Sequence, residues 1–337
     1  MLKKLIRDQY LKRKRIIAPL MGYIGLQYTA SAKLKAQLEH TAHYDTIMAL
    51  VDNFQPDIVF PLMDLSREVH ALGRKSVFHA IPLKAEIAGD YSPRLLAQLE
   101  KRELLDSARL TEYLLTLQHL SKSISNDQIL CAYLCGPISF AGMVMGIDKL
   151  ALALLLNPES VHDLLKVCQT KLADLIPHLK EAGAQAICFL EPTASLLSPD
   201  QAQEFSLDYL SPLIFTSQNL NLDTVLHICG NTKPILPQMA ATSADVLSLD
   251  SPHTGICLPA LIEDLSTQII LMGNLNPTGL ILTGNAADIK KEVNTLLTDL
   301  KNYPDFILST GCDLPESTPL ANIRALFHTA REYNNYE

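Results

Sequence analysis

The chain has 337 residues, of which 48% are hydrophobic, and a formal net charge of −8 at pH 7. This length fits two average domains or one large α/β barrel, and the acidic balance gives no electrostatic reason to expect a nucleic-acid partner. No apolar run reaches the roughly 18–20 residues that a membrane-spanning helix needs, so no membrane association is expected.

Residues 1–14 are basic and predict a solvated N-terminal helix. A transit peptide would be rich in serine and poor in acids, whereas this segment contains Asp8 and no serine. No secretory apolar region follows, so we expect a cytoplasmic protein. The chain has 7 cysteines. An odd number in such a protein favours burial, metal binding or catalysis over disulfides.

Short apolar runs rich in Ile, Val and Leu recur along the chain and predict buried strands. The 8 runs are Arg15–Gly22, Asp57–Asp64, Gln128–Cys135, Ala186–Glu191, Thr224–Cys229, Asp245–Asp250, Gln268–Gly273 and Asp305–Ser309. The helical segments are Ala32–Val51, Ala141–Leu156 with Pro158–Ala182, Pro199–Leu220, Thr232–Ala241, Pro259–Leu265, Ala286–Tyr303 and Pro319–Asn334. Continuous apolar strands that alternate with helices indicate a parallel sheet buried on both faces. The pattern predicts one (β/α)8 TIM barrel domain over residues 1–337.

The segment 66–125 is too long for a single helix. We expect Val69–Ala88 to form a hairpin-like excursion after the second strand, with Ser76–Ile81 as its strand-like part. Ser92–Ser121 is predicted to be helical.

Polar side chains gather where the predicted strands end. Active sites of (β/α)8 barrels lie at the carboxyl ends of the strands, because all these ends open on one mouth. The residues at or just after such ends are Asp64, Glu191, His227, Cys229, Asp250, Asn274 and Cys312.

Two of these residues form a pair suited to a metal ion. His227 and Cys229 are two positions apart in a strand, so their side chains point the same way. Cys312 can add a third ligand, and catalytic zinc keeps a fourth position open. Two thiolates already offset the charge of zinc, so the site suits binding of an exogenous thiol better than generation of hydroxide. Asp250 is either an exchangeable fourth ligand or an ordinary helix N-cap.

Several motifs resemble the methylcobamide:coenzyme M methyltransferase branch of the uroporphyrinogen decarboxylase superfamily, in order from about residue 15 to 330. They are Gly136-Pro-Ile-Ser139, Phe189–Ser195, Leu226–Asn231, Gly273–Pro277, and Gly311-Cys312 followed by Thr318–Asn322. The chain departs from the usual pattern at Glu191, where Asp is common, at Asp250, where Glu is common, and at Asp313–Pro315.

The resemblance implies Zn²⁺ held by residues His227, Cys229 and Cys312. It also implies methyl transfer from a methylated corrinoid of the methylcobalamin type, carried by a partner protein, to a small thiol such as coenzyme M. The remaining residues of the matching motifs are expected to shape the site, with Asp250, Glu191, Asn274 and Asp64 in catalytic roles and Gly136, Ser195 and Gly230 in cofactor binding.

Three alternatives remain open. Tetrahydrofolate could replace the thiol as acceptor, as in related O-demethylase or methylamine pathways. The chain could instead be a uroporphyrinogen decarboxylase. Those enzymes share an acid at the position of Asp64, but their arginine-rich segment after strand one is replaced here by Met21–Leu26. A non-catalytic barrel that binds a corrinoid protein would have no need of both the His-x-Cys and the Gly-Cys pairs.

Overall fold

The computed structural model describes residues 2–12, 14–73, 93–262 and 269–336. Eight strands pair in parallel in the order β1-β8-β7-β6-β5-β4-β3-β2. Their bounds are β1 Ile16–Ile17, β2 Ile58–Val59, β3 Ile129–Cys135, β4 Ala186–Leu190, β5 Asp223–Ile228, β6 Val246–Leu249, β7 Ile270–Leu275 and β8 Phe306–Thr310. These strands confirm the predicted (β/α)8 barrel.

Asp57 joins the two strands at the ends of this order. The Asp57 N–H donates to the Ile17 carbonyl at 3.0 Å, and the Ile17 N–H donates to Asp57 Oδ2 at 2.7 Å. β1 and β2 are therefore neighbours, and the barrel closes. Both are shorter than the predicted runs, because Pro19 and Pro61 have no N–H to continue a ladder.

Helices surround the barrel and bring the chain from one strand to the next. Their bounds are α1 Leu2–Leu11, α2 Leu26–Thr29, α3 Lys33–Leu38, α4 His40–Phe54, α5 Ser66–Ala71, α6 Pro93–Glu100, α7 Ala108–Ser123, α8 Pro137–Met145, α9 Ile147–Leu156, α10 Pro158–Glu181, α11 Pro199–Ala202, α12 Asp208–Asn219, α13 Leu236–Ala241, α14 Leu258–Leu261, α15 Leu280–Thr283, α16 Ala286–Asp299 and α17 Leu320–Tyr336. Within the described ranges no single helix is long and apolar enough to cross a membrane; α8 and α9 pass that test only together and are bent by 106°.

Some predicted helices are interrupted. Glu39 has an extended backbone and divides Ala32–Val51 into α3 and α4. A π-helical turn at Gln203–Leu207 separates α11 from α12. The predicted hairpin is wrong at its start, because Val69 lies in helix α5, and its strand-like part, residues 76–81, falls outside the described residues.

The N-terminal helix closes the bottom of the barrel. Leu2 and Ile6 are buried and pack with the barrel interior, which includes Tyr133 and Met272. The Leu2 N–H donates to Asp223 Oδ2 at 2.8 Å, at the start of β5. The expectation of an ordinary solvated helix was incomplete, since α1 buries an apolar side and exposes its basic one.

Candidate metal centre at the barrel mouth

His227, Cys229 and Cys312 converge at the carboxyl end of the barrel. Their ligand atoms all lie within 4.8 Å of one another. His227 Nε2 is 3.1 Å from Cys229 Sγ, which is 3.3 Å from Cys312 Sγ. The imidazole is buried, whereas both cysteines are partly exposed. One nitrogen and two sulfurs are a donor set that fits zinc with a fourth position open.

Ser248 orients the histidine. His227 and Ser248 are register partners in β5 and β6, and Ser248 Oγ lies 3.0 Å from His227 Nδ1. This contact leaves Nε2 free to face Cys229, as in metal sites where a polar partner fixes the ring of the ligand. Our reading of the sequence missed Ser248, because the register between β5 and β6 leaves no local pattern in the sequence.

The two thiols differ in acidity. A hydrogen bond with Cys229, reinforced by His227, holds the pKa of Cys312 well below its usual range. The same hydrogen bond, together with burial, raises the pKa of Cys229. Without a metal, the two sulfur atoms are joined by this hydrogen bond. A metal ion would bind both cysteines in the thiolate form and displace their protons.

Asp250 fixes the loop that carries Cys229. Its Oδ2 accepts from the Gly230 N–H at 2.7 Å, and its Oδ1 accepts from the Ser251 N–H at 2.6 Å. Gly230 has φ of +89°, a conformation that glycine adopts without strain. The carboxylate lies outside the three-residue metal cluster. A role as fourth ligand therefore stays a prediction.

Asn274 and Ser195 complete the surroundings of that loop. Asn274 is buried, and its Nδ2 donates to the carbonyls of Asp250 and Ile256, both at 2.8 Å. Ser195 Oγ donates to the Pro192 carbonyl at 2.9 Å and would lie 3.2 Å from a Cβ atom added at Gly230. Asn274 thus holds the end of β6, while Ser195 packs against the turn after Cys229.

Glu191 connects β4 to the start of α8. Its carboxylate is buried and accepts from the Ile138 N–H, the Ser139 N–H and Ser206 Oγ, each at 3.0 Å. Burial raises its pKa to about 7, although these hydrogen bonds act in the opposite direction. A Cβ atom at Gly136 would come within 2.3 Å of Glu191 Oε2, so Gly136 makes room for the carboxylate. Glu191 N–H donates to the His227 carbonyl at 3.0 Å.

Asp64 is buried and already paired. It accepts from the Ser66 N–H at 2.9 Å and Ser66 Oγ at 2.7 Å, and it forms an ion pair with Arg109. Burial alone would raise its pKa, but Arg109, Arg67 and Ser66 lower the pKa overall. Our reading of the sequence missed Arg109, which comes from α7 and has no nearby motif.

A model of the uroporphyrinogen decarboxylase (URO-D) family matches residues 32–333. The chain belongs to the uroporphyrinogen decarboxylase family. Methylcobamide:CoM methyltransferase MtbA of Methanosarcina mazei is 27% identical over 235 residues, which cover 69% of this chain and 67% of MtbA. Uroporphyrinogen decarboxylase of Prochlorococcus marinus (strain MIT 9312) is 24% identical and covers 86% of this chain and 83% of its own length.

A solved structure gives independent support for the fold. A methyltransferase from Methanosarcina mazei superposes with a TM-score of 0.84 and 21% identity. The match covers 97% of this chain and 98% of that protein. The family member described here therefore has the same barrel along nearly its whole length.

Proposed function

We propose that this member of the uroporphyrinogen decarboxylase family is a zinc-dependent methyltransferase. It would move a methyl group from a methylated corrinoid, carried on a partner protein, to a thiol such as coenzyme M. The observation that carries this proposal is the convergence of His227, Cys229 and Cys312 at the barrel mouth. Two relatives, named methylcobamide:CoM methyltransferase and methylated-thiol–coenzyme M methyltransferase, support it.

Thiol activation explains why a nitrogen and two sulfurs would be used. A free thiol has a pKa of about 8.5, so only a few per cent is ionised at neutral pH. Bound zinc would supply the charge that keeps an acceptor thiol deprotonated at neutral pH. The transfer then forms a sulfur–carbon bond and breaks the carbon–cobalt bond, leaving its electron pair on cobalt.

The residues around the centre have distinct tasks in this scheme. Ser248 holds the imidazole of His227, and Asp250 holds the Gly230 turn and thereby Cys229. Asn274 fixes the carbonyl of Asp250 from the neighbouring strand. The thiols of Cys229 and Cys312 must stay reduced for this chemistry, which agrees with the cytoplasmic location that we expect.

Decarboxylation of a tetrapyrrole fits the same site less well. The turn Gly22–Gly25 after β1 contains no arginine that could bind substrate carboxylates. Asp64, the acid shared with the decarboxylases, has its oxygens engaged by Ser66 and Arg109. Tetrahydrofolate remains a second candidate acceptor, but the metal cluster favours a thiol.

The acceptor can be tested directly with free methylcobalamin. The purified protein should demethylate it when coenzyme M is present, which absorbance spectroscopy detects as loss of the methylated form. Tetrahydrofolate in place of coenzyme M should give no reaction. Demethylation with tetrahydrofolate and none with coenzyme M would contradict the proposed acceptor.

A further inference from the structure

Lys33 is a partly buried cation at the barrel mouth that the proposed reaction has not used. It is the first residue of α3, in the segment that follows β1. Its Nζ lies 4.2 Å from the centroid of the Tyr23 ring, as in a cation–π contact. Within the described ranges Lys33 forms no ion pair with a carboxylate. Its charge is therefore available to a partner from outside the chain.

Tyr23 and Gln37 hold the lysine side chain in place. Gln37 is one turn after Lys33 on the same face of α3, and its Nε2 donates to the Tyr23 hydroxyl at 2.7 Å. That hydroxyl donates in turn to the Met63 carbonyl at 3.0 Å, and the Tyr23 ring is buried. The ring is thus a rigid support for the ammonium group. A cation oriented in advance loses less conformational entropy when a ligand binds.

Lys33 lies near the segment that carries Cys312. The carboxylate of Asp313, the next residue, accepts a hydrogen bond from the Gly22 N–H, in the turn after β1. Burial and then Cys312 raise the pKa of this carboxyl to about 7, whereas Lys33 and the Gly22 hydrogen bond lower it. Lys33 and Cys312 are therefore both within electrostatic reach of Asp313, and the ammonium group lies on the Cys312 side of the metal centre.

The metal centre itself cannot neutralise a second negative charge on its ligand. Two cysteine thiolates already offset the two positive charges of Zn²⁺, so a bound acceptor thiolate leaves the centre with a net negative charge. An acceptor such as coenzyme M carries a further negative charge on its sulfonate. That second charge needs a cation of its own.

Three other cations near the mouth are committed elsewhere or fully solvated. Arg67 and Arg109 are buried, but each forms an ion pair with a neighbouring acid. Lys233, in the loop after β5, is exposed. Lys33 is thus the best placed of these four cations to bind an anion beside the metal centre.

We propose that Lys33 determines the specificity for the methyl acceptor, and that its ammonium group binds the anionic group of a thiol whose sulfur is held at the metal centre. This inference rests on the proposed function. It makes the acceptor a small thiol with an anionic group, such as the sulfonate of coenzyme M. A neutral thiol of similar length would reach the metal but would lack the second contact.

Cobalt(II) substitution gives a readout of thiol binding that does not depend on turnover. Coenzyme M and mercaptoethanol, which has a hydroxyl in place of the sulfonate, are titrated into the cobalt-loaded protein. The visible d–d absorption of the metal reports each affinity. We compare the unmutated protein with Lys33→Met and Lys33→Glu. The matched control is Lys35→Met, because Lys35 is on the same helix, is exposed and pairs with Glu39 at 3.8 Å.

The unmutated protein should bind coenzyme M at least about 10-fold more tightly than mercaptoethanol, as is typical of a hydrogen bond to a charged group. Lys33→Met should lose most of this preference through weaker binding of coenzyme M, with the affinity for mercaptoethanol unchanged. Lys33→Glu should weaken coenzyme M further, because like charges repel. Added salt should narrow the preference in the unmutated protein but not in Lys33→Met. Lys35→Met should match the unmutated protein in both affinities.

Three outcomes would overturn the inference alone. The first is equal affinity of the unmutated protein for the two thiols, and the second is an unchanged preference in Lys33→Met with normal cobalt uptake. The third is an equal loss of affinity for both thiols in Lys33→Met, which would mean that Lys33 only supports the structure of the mouth. Failure of the unmutated protein to take up cobalt or zinc, or to bind either thiol, would instead defeat the proposed function, and this inference with it.

Discussion

The sulfur atoms of Cys229 and Cys312 lie 3.3 Å apart, although 83 positions separate the two residues in the chain. Each cysteine follows the end of a strand, β5 or β8, and both ends open on the same mouth. Such a close pair of thiols beside His227 Nε2 is the feature on which the proposed metal centre depends.

Replacing one of these cysteines should remove the metal. Cys312→Ala leaves only two of the three clustered ligands, so zinc should fall from about one per chain to a small fraction. The exposed Cys257 lies outside the cluster, and Cys257→Ala should keep its zinc. Elemental analysis of the purified variants checks this; equal zinc in both would show that Cys312 is not a ligand.

Ser248→Ala should weaken metal binding without abolishing it. Loss of the contact at 3.0 Å frees the imidazole of His227 to rotate, and changes of this kind typically cost about 10–100-fold in metal affinity. Competition with a chelator measures the affinity. Ser217→Ala removes a buried hydroxyl that bonds only within its own helix, and it should leave the affinity unchanged.

Asp250→Ala separates two roles of that carboxylate. If Asp250 acts by holding the Gly230 turn, metal affinity should fall by roughly 10-fold, while the d–d spectrum of the resting cobalt(II) protein keeps its position and intensity. A spectrum that shifts toward a different donor set would show that Asp250 is a ligand, as the sequence allowed. Its two hydrogen bonds to backbone N–H groups favour the first result.

Glu191→Gln should change how stability depends on pH. Because the folded pKa of Glu191 is raised from 4.5 to about 7, the folded protein keeps a proton that the unfolded chain has lost in this range. The Glu191 contribution to the free energy of unfolding therefore falls as pH rises from about 4.5 to about 7 and is level above it. Because glutamine does not titrate, the Tm of Glu191→Gln minus the Tm of the unmutated protein should increase as pH rises from about 4.5 to about 7. A Tm difference that stays constant over this pH range would contradict the burial of a titrating Glu191.

Asp64→Ala should destabilise the fold strongly. It leaves the guanidinium of Arg109 buried without its carboxylate, and breaking a buried pair from one side typically costs about 3–5 kcal/mol. Denaturant unfolding measures the loss. The folded pKa of Asp64 is lowered, so its contribution is present at neutral pH and fades as pH falls through that pKa. Asp64→Ala with Arg109→Leu should recover part of the stability, because no unpaired charge remains.

The sequence predicted the barrel because its strands are buried on both faces. Runs such as Ala186–Leu190 are apolar at every position, as a parallel sheet under helices requires. The convergence of His227, Cys229 and Cys312 could be predicted because their positions follow from strand ends. Chain topology alone brings those ends together.

Partners of the site residues could not be predicted in the same way. Arg109 meets Asp64 through the packing of α7, and Ser248 meets His227 through strand register, neither of which leaves a local pattern. Patterns of hydrophobicity indicate which residues reach the mouth, whereas hydrogen-bond partners there depend on side-chain geometry.

The most direct test of the metal-dependent thiol chemistry is a single spectroscopic assay with methylcobalamin and coenzyme M. The zinc-loaded protein should convert methylcobalamin to cob(I)alamin, the metal-stripped protein should be inactive, and added zinc should restore the rate. Full activity in protein shown to be free of metal would contradict the account.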